Sequence, residues 1–331
     1  MLPDRSGQGL RITRRGAVIA ALAAGSLSTA QAAFPDRPLR LVVPYAPGGT
    51  TDLLARLITA RLGPELGQTI VVENRSGAGG IVGCEAAARA APDGYTLLLG
   101  NIGPIALNPS IYAQLPYDPE RDFAAIGRVA DFPLLLVVPS TLGVASVAEL
   151  VALAKREPGR VNFASVGNGS ISHLAGEMLN RAAGIRMTHV PYRGGSQAYV
   201  DLLGGQVQML FSPGLEAVPH LQASRVRALA ITSAERSQVA SELPTMRELG
   251  YPDFDIVAWF GLLAPSAVPP AALTRISDAL QRVMATAELR QSVLGVAAEP
   301  VVDTPEAFAT LISADIRRWA PIITAAGVRI E

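Results

Sequence analysis

The chain has 331 residues, of which 49% are hydrophobic, and its 28 basic residues balance its 28 acidic ones. This length suits two domains that each bury a core of their own. Because no basic stripe is available to follow a phosphate backbone, the composition argues against nucleic acid as a partner.

The first 32 residues have the composition of a cleavable export signal. Arg14 and Arg15 precede an apolar run from Gly16 to Ala30, and Ala30-Gln31-Ala32 supplies a small-residue cleavage site. The run is too short to span a bilayer comfortably, which argues against the alternative of a permanent anchor. We therefore predict a periplasmic protein. The paired arginines indicate the twin-arginine route, but Ala17 is a weak hydrophobe, so the Sec route stays open.

After residue 32, short β-rich runs alternate with helical stretches, which predicts α/β lobes with largely parallel sheets. The predicted strands are Leu39–Tyr45, Thr69–Glu73, Tyr95–Gly100, Leu134–Pro139, Val161–Ser165, Met187–Pro191, Val207–Phe211, Val226–Thr232 and Trp259–Ala264. The predicted helices are Asp52–Leu62, Ala78–Ala91, Val147–Lys155, Ser172–Ala183, Gln197–Leu203, Pro219–Ala223, Pro270–Met284, Glu288–Leu294 and Pro305–Ile323. The section from Asn101 to Asp131 has no period and is predicted to be irregular.

The pattern of elements restarts near residue 134 and changes again near residue 256. These changes predict that one domain is inserted into the other. Lobe 1 would comprise residues 33–133 and 257–331, and lobe 2 residues 134–256. The chain would cross between the lobes at residues 131–135 and 254–259, which predicts a hinge there.

A glycine-rich turn between the first strand and the first helix is the strongest local signal of a site. Free backbone N–H groups and the positive end of the helix suit an anion there without any lysine or arginine. Asp52 is equally suited to cap the helix, and many such turns are empty. The candidate ligand residues of this turn are Tyr45, Pro47, Gly48, Gly49, Thr50, Thr51 and Asp52.

A second glycine-rich turn, Gly167 to Ser172, repeats this strand-to-helix arrangement and is followed by His173. Its serine hydroxyls and exposed N–H groups again suit a carboxylate. The alternative is a hydrolase that uses Ser170 and His173. The sequence lacks the G-x-S-x-G motif, and a spacing of three residues does not establish a Ser–His pair. Arg193 ends a later strand and either faces a cleft or is a solvated loop arginine.

Cofactors and metals have little support in the sequence. Gly77-Ala78-Gly79-Gly80 places Val82 where the dinucleotide fingerprint needs its third glycine, so no nicotinamide cofactor is expected. The three histidines and single cysteine form no metal-binding motif. Cys84 is therefore predicted to be a buried apolar residue, and no intramolecular disulfide is possible.

A series of short segments runs in order along nearly the whole chain after residue 32. They are Phe34–Pro38, the Pro47–Asp52 turn, Val72–Arg75, Gly77–Gly80, Pro92–Leu97, Asn108-Pro109, Leu115–Asp118, Gly169-Ser170, His173-Leu174, Val190–Gly194 and Asp201–Gly205. Together these segments resemble the periplasmic binding proteins of tripartite tricarboxylate transporters, also called Bordetella uptake gene products. The resemblance implies a monomeric, non-enzymatic two-lobe "Venus flytrap" of the type II-like α/β class, with its ligand in the cleft between the lobes. It implies that two loops of lobe 1, around Tyr45–Thr51 and Gly100–Ile105, hold the carboxylate mainly by backbone amides and ordered water, and that lobe 2 contributes side chains. The implied ligand residues beyond the first turn are Asn101, Ile102, Gly103, Ser170, His173, Tyr192 and Arg193.

Ser212 is a departure from this family, which often has an aspartate just after the corresponding strand. A missing carboxylate removes a partner for a ligand ammonium group. We therefore expect a di- or tricarboxylate or an aromatic acid without an amine. The resemblance implies delivery of this ligand to a tripartite tricarboxylate-type permease, and a receptor role toward a sensor kinase is the alternative.

Overall fold

The computed structural model describes residues 34–330, so the export signal predicted for residues 1–32 lies outside the described part. The strands are β1 Leu39–Val43, β2 Ile70–Asn74, β3 Thr96–Asn101, β4 Phe123–Pro139, β5 Asn162–Ser165, β6 Thr188–Pro191, β7 Met209–Pro213, β8 Val226–Ile231, β9 Val257–Pro265 and β10 Glu299–Pro300. The helices are α1 Thr50–Leu66, α2 Ile81–Ala88, α3 Asn108–Ile111, α4 Pro119–Asp122, α5 Val147–Arg156, α6 Ile171–Ala183, α7 Gly195–Leu203, α8 Gly214–Gln222, α9 Pro270–Met284, α10 Ala287–Leu294 and α11 Pro305–Ala325.

One curled sheet connects both halves of the described chain, with the strand order β2-β1-β3-β9-β4-β7-β5-β6. Strands β1, β2 and β3 are parallel, as are β5, β6 and β7. The long strand β4 is antiparallel to its partners β7, β8, β9 and β10. The prediction of largely parallel sheets therefore holds for the outer strands of each half and fails around β4.

The partners of β4 change between Pro133 and Leu134. Up to Pro133 the strand pairs with β9, and from Leu134 onward it pairs with β7 and β8. The prediction of an irregular segment up to Asp131 is wrong here, because β4 begins at Phe123. Register shifts after Ala125 and after Arg128 interrupt the alternation of buried and exposed side chains, which hides the strand from a periodicity argument.

Thr232 forms hydrogen bonds with two residues that are distant along the chain, Leu134 and Ile256. Its backbone N–H donates to the Leu134 carbonyl at 3.0 Å, and its hydroxyl oxygen accepts from the Leu134 N–H at 2.9 Å. The same hydroxyl donates to the Ile256 carbonyl at 2.6 Å, and the Ile256 N–H returns a bond to the Thr232 carbonyl. This fully buried residue therefore joins the segment at Leu134 to the segment at Ile256.

Most predicted helices are confirmed, with ends that follow ordinary capping. Ser146 caps α5, since its Oγ accepts from the Glu149 N–H, and Thr286 and Thr304 cap α10 and α11 in the same way. The predicted helix Pro219–Ala223 is longer and begins at Gly214. No helix of residues 34–330 has both the length and the apolar character needed to cross a membrane.

Apolar side chains fill the space on both faces of the sheet. Leu54, Ile58 and Leu62 of α1 pack with Leu39 and Leu41 of β1 in one cluster. A larger cluster includes Trp259 of β9 and Trp319 of α11, and the Trp259 indole donates to the buried Asp315 carboxylate at 2.7 Å. Cys84 is fully buried, as predicted, and burial raises the pKa of its thiol to about 12. These cores fix the strand ends from which the candidate site is built.

Candidate ligand site at the carboxyl ends of the strands

The candidate site residues follow the carboxyl ends of parallel strands in both halves. In the first half, α1 follows β1 and a π-helical turn, Gly103–Leu107, follows β3. In the second half, α6, α7 and α8 follow β5, β6 and β7. Parallel neighbours end at the same edge of a sheet, so the turns of each half lie along one edge, where ligands of open α/β sheets commonly bind.

The turn from Ala46 to Gly49 is exposed and leads into α1 without a side-chain cap. Gly48 has a φ of +84°, a conformation that favours glycine. The first turn of α1 therefore presents backbone N–H groups that no side chain within residues 34–330 accepts from. Such a helix end attracts anions.

The side chain of Asp52 hydrogen-bonds to this turn and is almost fully buried, with 2% exposure. Its Oδ2 accepts from the Gly48 N–H at 2.9 Å and from Arg56 Nε at 3.0 Å. Its Oδ1 accepts from Arg56 Nη2 and Asn74 Nδ2, each at 3.0 Å. The Arg56 hydrogen bonds are the main reason why the pKa of this carboxyl falls to about 2. Both oxygens are thus engaged in shaping the turn.

Tyr45 and Asn101 join the two loops predicted for the first half. The Tyr45 hydroxyl donates to Asn101 Oδ1 at 3.1 Å, and the Gly103 N–H donates to the same oxygen at 3.0 Å. Asn74 Nδ2 also donates to the Tyr45 carbonyl at 3.1 Å. Burial raises the pKa of Tyr45, which therefore stays a neutral phenol. The structure brings the two predicted loops together.

Sequence reasoning missed Asn74, although it lies in one of the segments that carried the family resemblance. Asn74 is the last residue of β2, and its side chain donates hydrogen bonds to Tyr45 and Asp52, which are distant along the chain. The available signal was an amide side chain at the end of a strand, next to the sheet edge where the glycine turn was expected.

In the second half, Ser170 caps its own helix. Its Oγ accepts from the His173 N–H at 3.3 Å and donates to the Gly167 carbonyl at 2.7 Å. The Gly169 N–H donates to Nδ1 of His173 at 3.1 Å, which places the ring proton on Nε2. The Ser170 hydroxyl therefore bonds the backbone and Ser172 rather than the imidazole, so Ser170 and His173 do not form the hydrogen-bonded pair of the hydrolase alternative.

Beneath this turn, His173 stacks on His189 with ring centroids 3.6 Å apart and planes 9° apart. Nε2 of His189 lies 2.6 Å from the Ser165 hydroxyl. Burial lowers the pKa of both rings, and the neighbouring His173 adds to the effect on His189, whose pKa falls to about 4. Both imidazoles are therefore neutral at pH 7. Glu177 Oε1 lies 3.9 Å from Nε2 of His173.

The remaining predicted residues of the second half, Tyr192, Arg193 and Ser212, differ in whether their polar groups already have a partner. The Tyr192 hydroxyl donates to Asp201 at 2.7 Å, whereas Arg193 is exposed and forms no ion pair within residues 34–330. Ser212 lies inside β7 rather than after it, because the strand runs on to Pro213. Its fully buried hydroxyl accepts from Tyr199 at 2.9 Å and donates to the Pro213 carbonyl. Of these side chains, Arg193 alone has a free charged group.

A cavity of about 1270 Å³ lies elsewhere, between α6, residues 247–255 and α11. None of the predicted ligand residues lines it. Its wall mixes arginines with acidic residues and includes no uncapped helix start. For an anion, the open N–H groups at the strand ends are a better match than this mixed wall.

The model of the tripartite tricarboxylate transporter family receptor matches residues 54–328 of the chain. The chain belongs to this family. Protein BugT of Bordetella pertussis is 36% identical over 299 residues, which cover 90% of this chain and 92% of BugT. The mixed α/β, two-lobe fold is that of periplasmic binding proteins.

Two solved structures from Rhodopseudomonas palustris contain carboxylates. Rpa4515 with adipate is 34% identical, with a TM-score of 0.81, and covers 90% of this chain and 100% of its own. MatC with bound malate is 33% identical, with a TM-score of 0.76, and covers 88% of this chain and 100% of its own. These two similar proteins were thus solved with small dicarboxylates, and the chain is a solute-binding receptor by family.

Proposed function

We propose that the chain is a periplasmic solute-binding protein that captures a small organic carboxylate between two lobes and delivers it to a tripartite tricarboxylate-type permease. The main observation is the uncapped start of α1, whose turn is held by Asp52, Arg56 and Asn74. A carboxylate there would accept charge-assisted hydrogen bonds from backbone N–H groups, and it would need no buried lysine or arginine. Arg193 is the second-half cation available to the same ligand.

The proposed lobes are residues 33–133 with 257–331, and residues 134–256. The change of partners along β4 between Pro133 and Leu134 supports this division. Contacts at Thr232 and Ile256 support hinges near residues 131–135 and 254–259. A ligand that touches both edges would favour the closed form through contacts that the open form lacks.

Ligand binding is tested with the mature chain, refolded from denaturant to remove carried ligand. Thermal unfolding is followed with di- and tricarboxylates and aromatic acids, and with their neutral amides as matched controls. A ligand present at about a hundred times its Kd adds about 2.7 kcal/mol to the free energy of unfolding. We expect a shift with one class of acid, none with its amide, and full recovery of the acid. No shift with any acid, or consumption of the acid, would overturn the proposal.

Delivery and export need separate measurements. We expect uptake of the labelled acid to require both the chain and its permease in cells that express the two genes. We also expect the periplasmic fraction to contain a chain that begins at Ala33. Uptake that persists without the chain would contradict delivery and leave binding untouched.

A further inference from the structure

Glu216 is a carboxylate that sequence reasoning did not identify. It lies in the first turn of α8, directly after β7, at the same edge as the turns that begin α6 and α7. A first-turn acid ordinarily stays exposed and favours its own helix. Glu216 instead directs its carboxylate toward the start of α7, where Gly195 begins the helix.

The contact between Glu216 and Gly195 is close enough that only glycine fits it. A Cβ added to Gly195 would overlap the carboxylate of Glu216 and would meet no other group as closely. The backbone of Gly195 does not have a positive φ, so its conformation alone does not call for glycine. The missing side chain therefore makes room for the carboxylate.

Oε2 of Glu216 is buried and has no hydrogen-bond partner among residues 34–330. The neighbouring polar groups are already paired, because Tyr199 donates its hydroxyl to Ser212. The start of α7 lacks a side-chain cap, but no hydrogen bond joins Glu216 to it in the described structure. Burial raises the pKa of Glu216, as expected for a carboxylate without a cationic partner.

An unpaired buried acceptor is costly unless another molecule supplies the donor. We propose that Glu216 is a specificity-determining residue of the cleft, which accepts a hydrogen bond from an O–H or N–H donor on the bound ligand. The inference rests on the proposed function and narrows it: the ligand is a carboxylate that also carries a hydroxyl or an ammonium group. Plain di- and tricarboxylates would lack this contact.

The test uses isothermal titration of the full mature chain with acids that differ only in the donor. The probes are succinate, malate and aspartate, together with benzoate and 3-hydroxybenzoate. In at least one series we expect the donor-bearing acid to bind at least about tenfold more tightly, the size of one good hydrogen bond. Glu216→Leu should reduce that ratio to below threefold and leave the affinity for the plain acid nearly unchanged.

Two further variants separate the source of the effect from a folding defect. Glu216→Gln keeps a carbonyl acceptor and removes the charge, so it should retain selectivity for a hydroxyl and lose it for an ammonium group. Gly195→Ala should displace the carboxylate without backbone strain, and therefore reproduce Glu216→Leu at an unchanged melting temperature. Glu242→Gln is the control, because Glu242 is exposed and lies outside the sheet edge.

The outcomes are distinguishable. Equal binding of donor-bearing and plain acids, unchanged in Glu216→Leu and in Gly195→Ala, would overturn the inference and leave the proposed function standing. Binding of none of the carboxylates would overturn both. A preference for aspartate that is lost in Glu216→Gln would confirm the inference and contradict our expectation of a ligand without an amine.

Discussion

The helices α1 and α6 both begin at the carboxyl ends of parallel strands, but they begin differently. The start of α1 follows Gly49 and has no side-chain cap, whereas Ser170 caps α6 from within the chain. In the first half, the side chains of Asp52 and Asn74 stabilise the turn by hydrogen bonds. No side chain within residues 34–330 accepts from the first backbone N–H groups of α1. In the second half, the Ser170 hydroxyl accepts from the third N–H of α6. There, Arg193 forms no ion pair and Glu216 has an unpaired oxygen within residues 34–330. We therefore expect the first half to provide general affinity for an anion and the second half to discriminate between anions.

The largest effect on stability and binding is expected for Asp52, whose side chain hydrogen-bonds to the glycine turn before α1. Asp52→Asn replaces an acceptor of four hydrogen bonds with an amide whose NH2 group opposes Arg56 in either orientation, together with the Gly48 N–H or Asn74 Nδ2. We expect a loss of about 1–3 kcal/mol in the free energy of unfolding, together with weaker binding of every carboxylate. Urea unfolding and titration measure the two effects. Asp118→Asn, at the exposed cap of α4, should cost less than about 1 kcal/mol. Equal effects of the two variants would show that Asp52 has no special role.

The two halves should also lose stability in different pH ranges. The pKa of His189 is about 4 when folded, below its ordinary value of 6.5, so the unfolded chain binds more protons between these values. Stability should therefore fall by about 2 kcal/mol as the pH drops from 6.5 to 4. The pKa of Asp52 is lowered to about 2, so its contribution is lost only below pH 3.8. Urea unfolding of His189→Gln should show a flatter slope above pH 4, and an unchanged slope would refute this assignment.

A matched pair of caps separates stability from binding. Ser170→Ala and Ser146→Ala each remove a serine that accepts from the third N–H of its helix. Each should cost about 1 kcal/mol in unfolding experiments. Ser146 follows the end of the antiparallel strand β4, at the opposite edge of the sheet, so only Ser170→Ala should also weaken ligand binding. Equal binding by both variants would place Ser170 outside the site.

The smallest effect is expected at the phenol between the two first-half loops. Tyr45→Phe removes one hydrogen bond to Asn101, whose Oδ1 keeps its bond from the Gly103 N–H. We expect a loss of less than about 1 kcal/mol in stability and a change below threefold in Kd, since the open N–H groups remain in place. A loss of binding above tenfold would mean that the hydroxyl contacts the ligand itself.

The sequence alone determined most elements, because their signals are local. Alternating runs, glycine turns and capping serines act within a few residues, so strands such as β5 and helices such as α5 and α6 are read correctly from the pattern. The glycine turn at Pro47–Gly49 was also found in this way. Strand β4 was partly missed because its bulges break the two-residue period on which a strand prediction depends.

Only the tertiary structure decided which polar groups are used internally and which stay free. Asn74 binds Asp52 across 22 residues, and Tyr45 binds Asn101 across 56 residues, distances at which local patterns carry no information. Asp52 and Ser212 are hydrogen-bonded within the protein, whereas Glu216 has an oxygen that no group of residues 34–330 donates to. Hydrogen bonds between distant segments form only after the sheet has brought its strand ends together. The fold therefore decides which donors and acceptors of the candidate site stay unpaired.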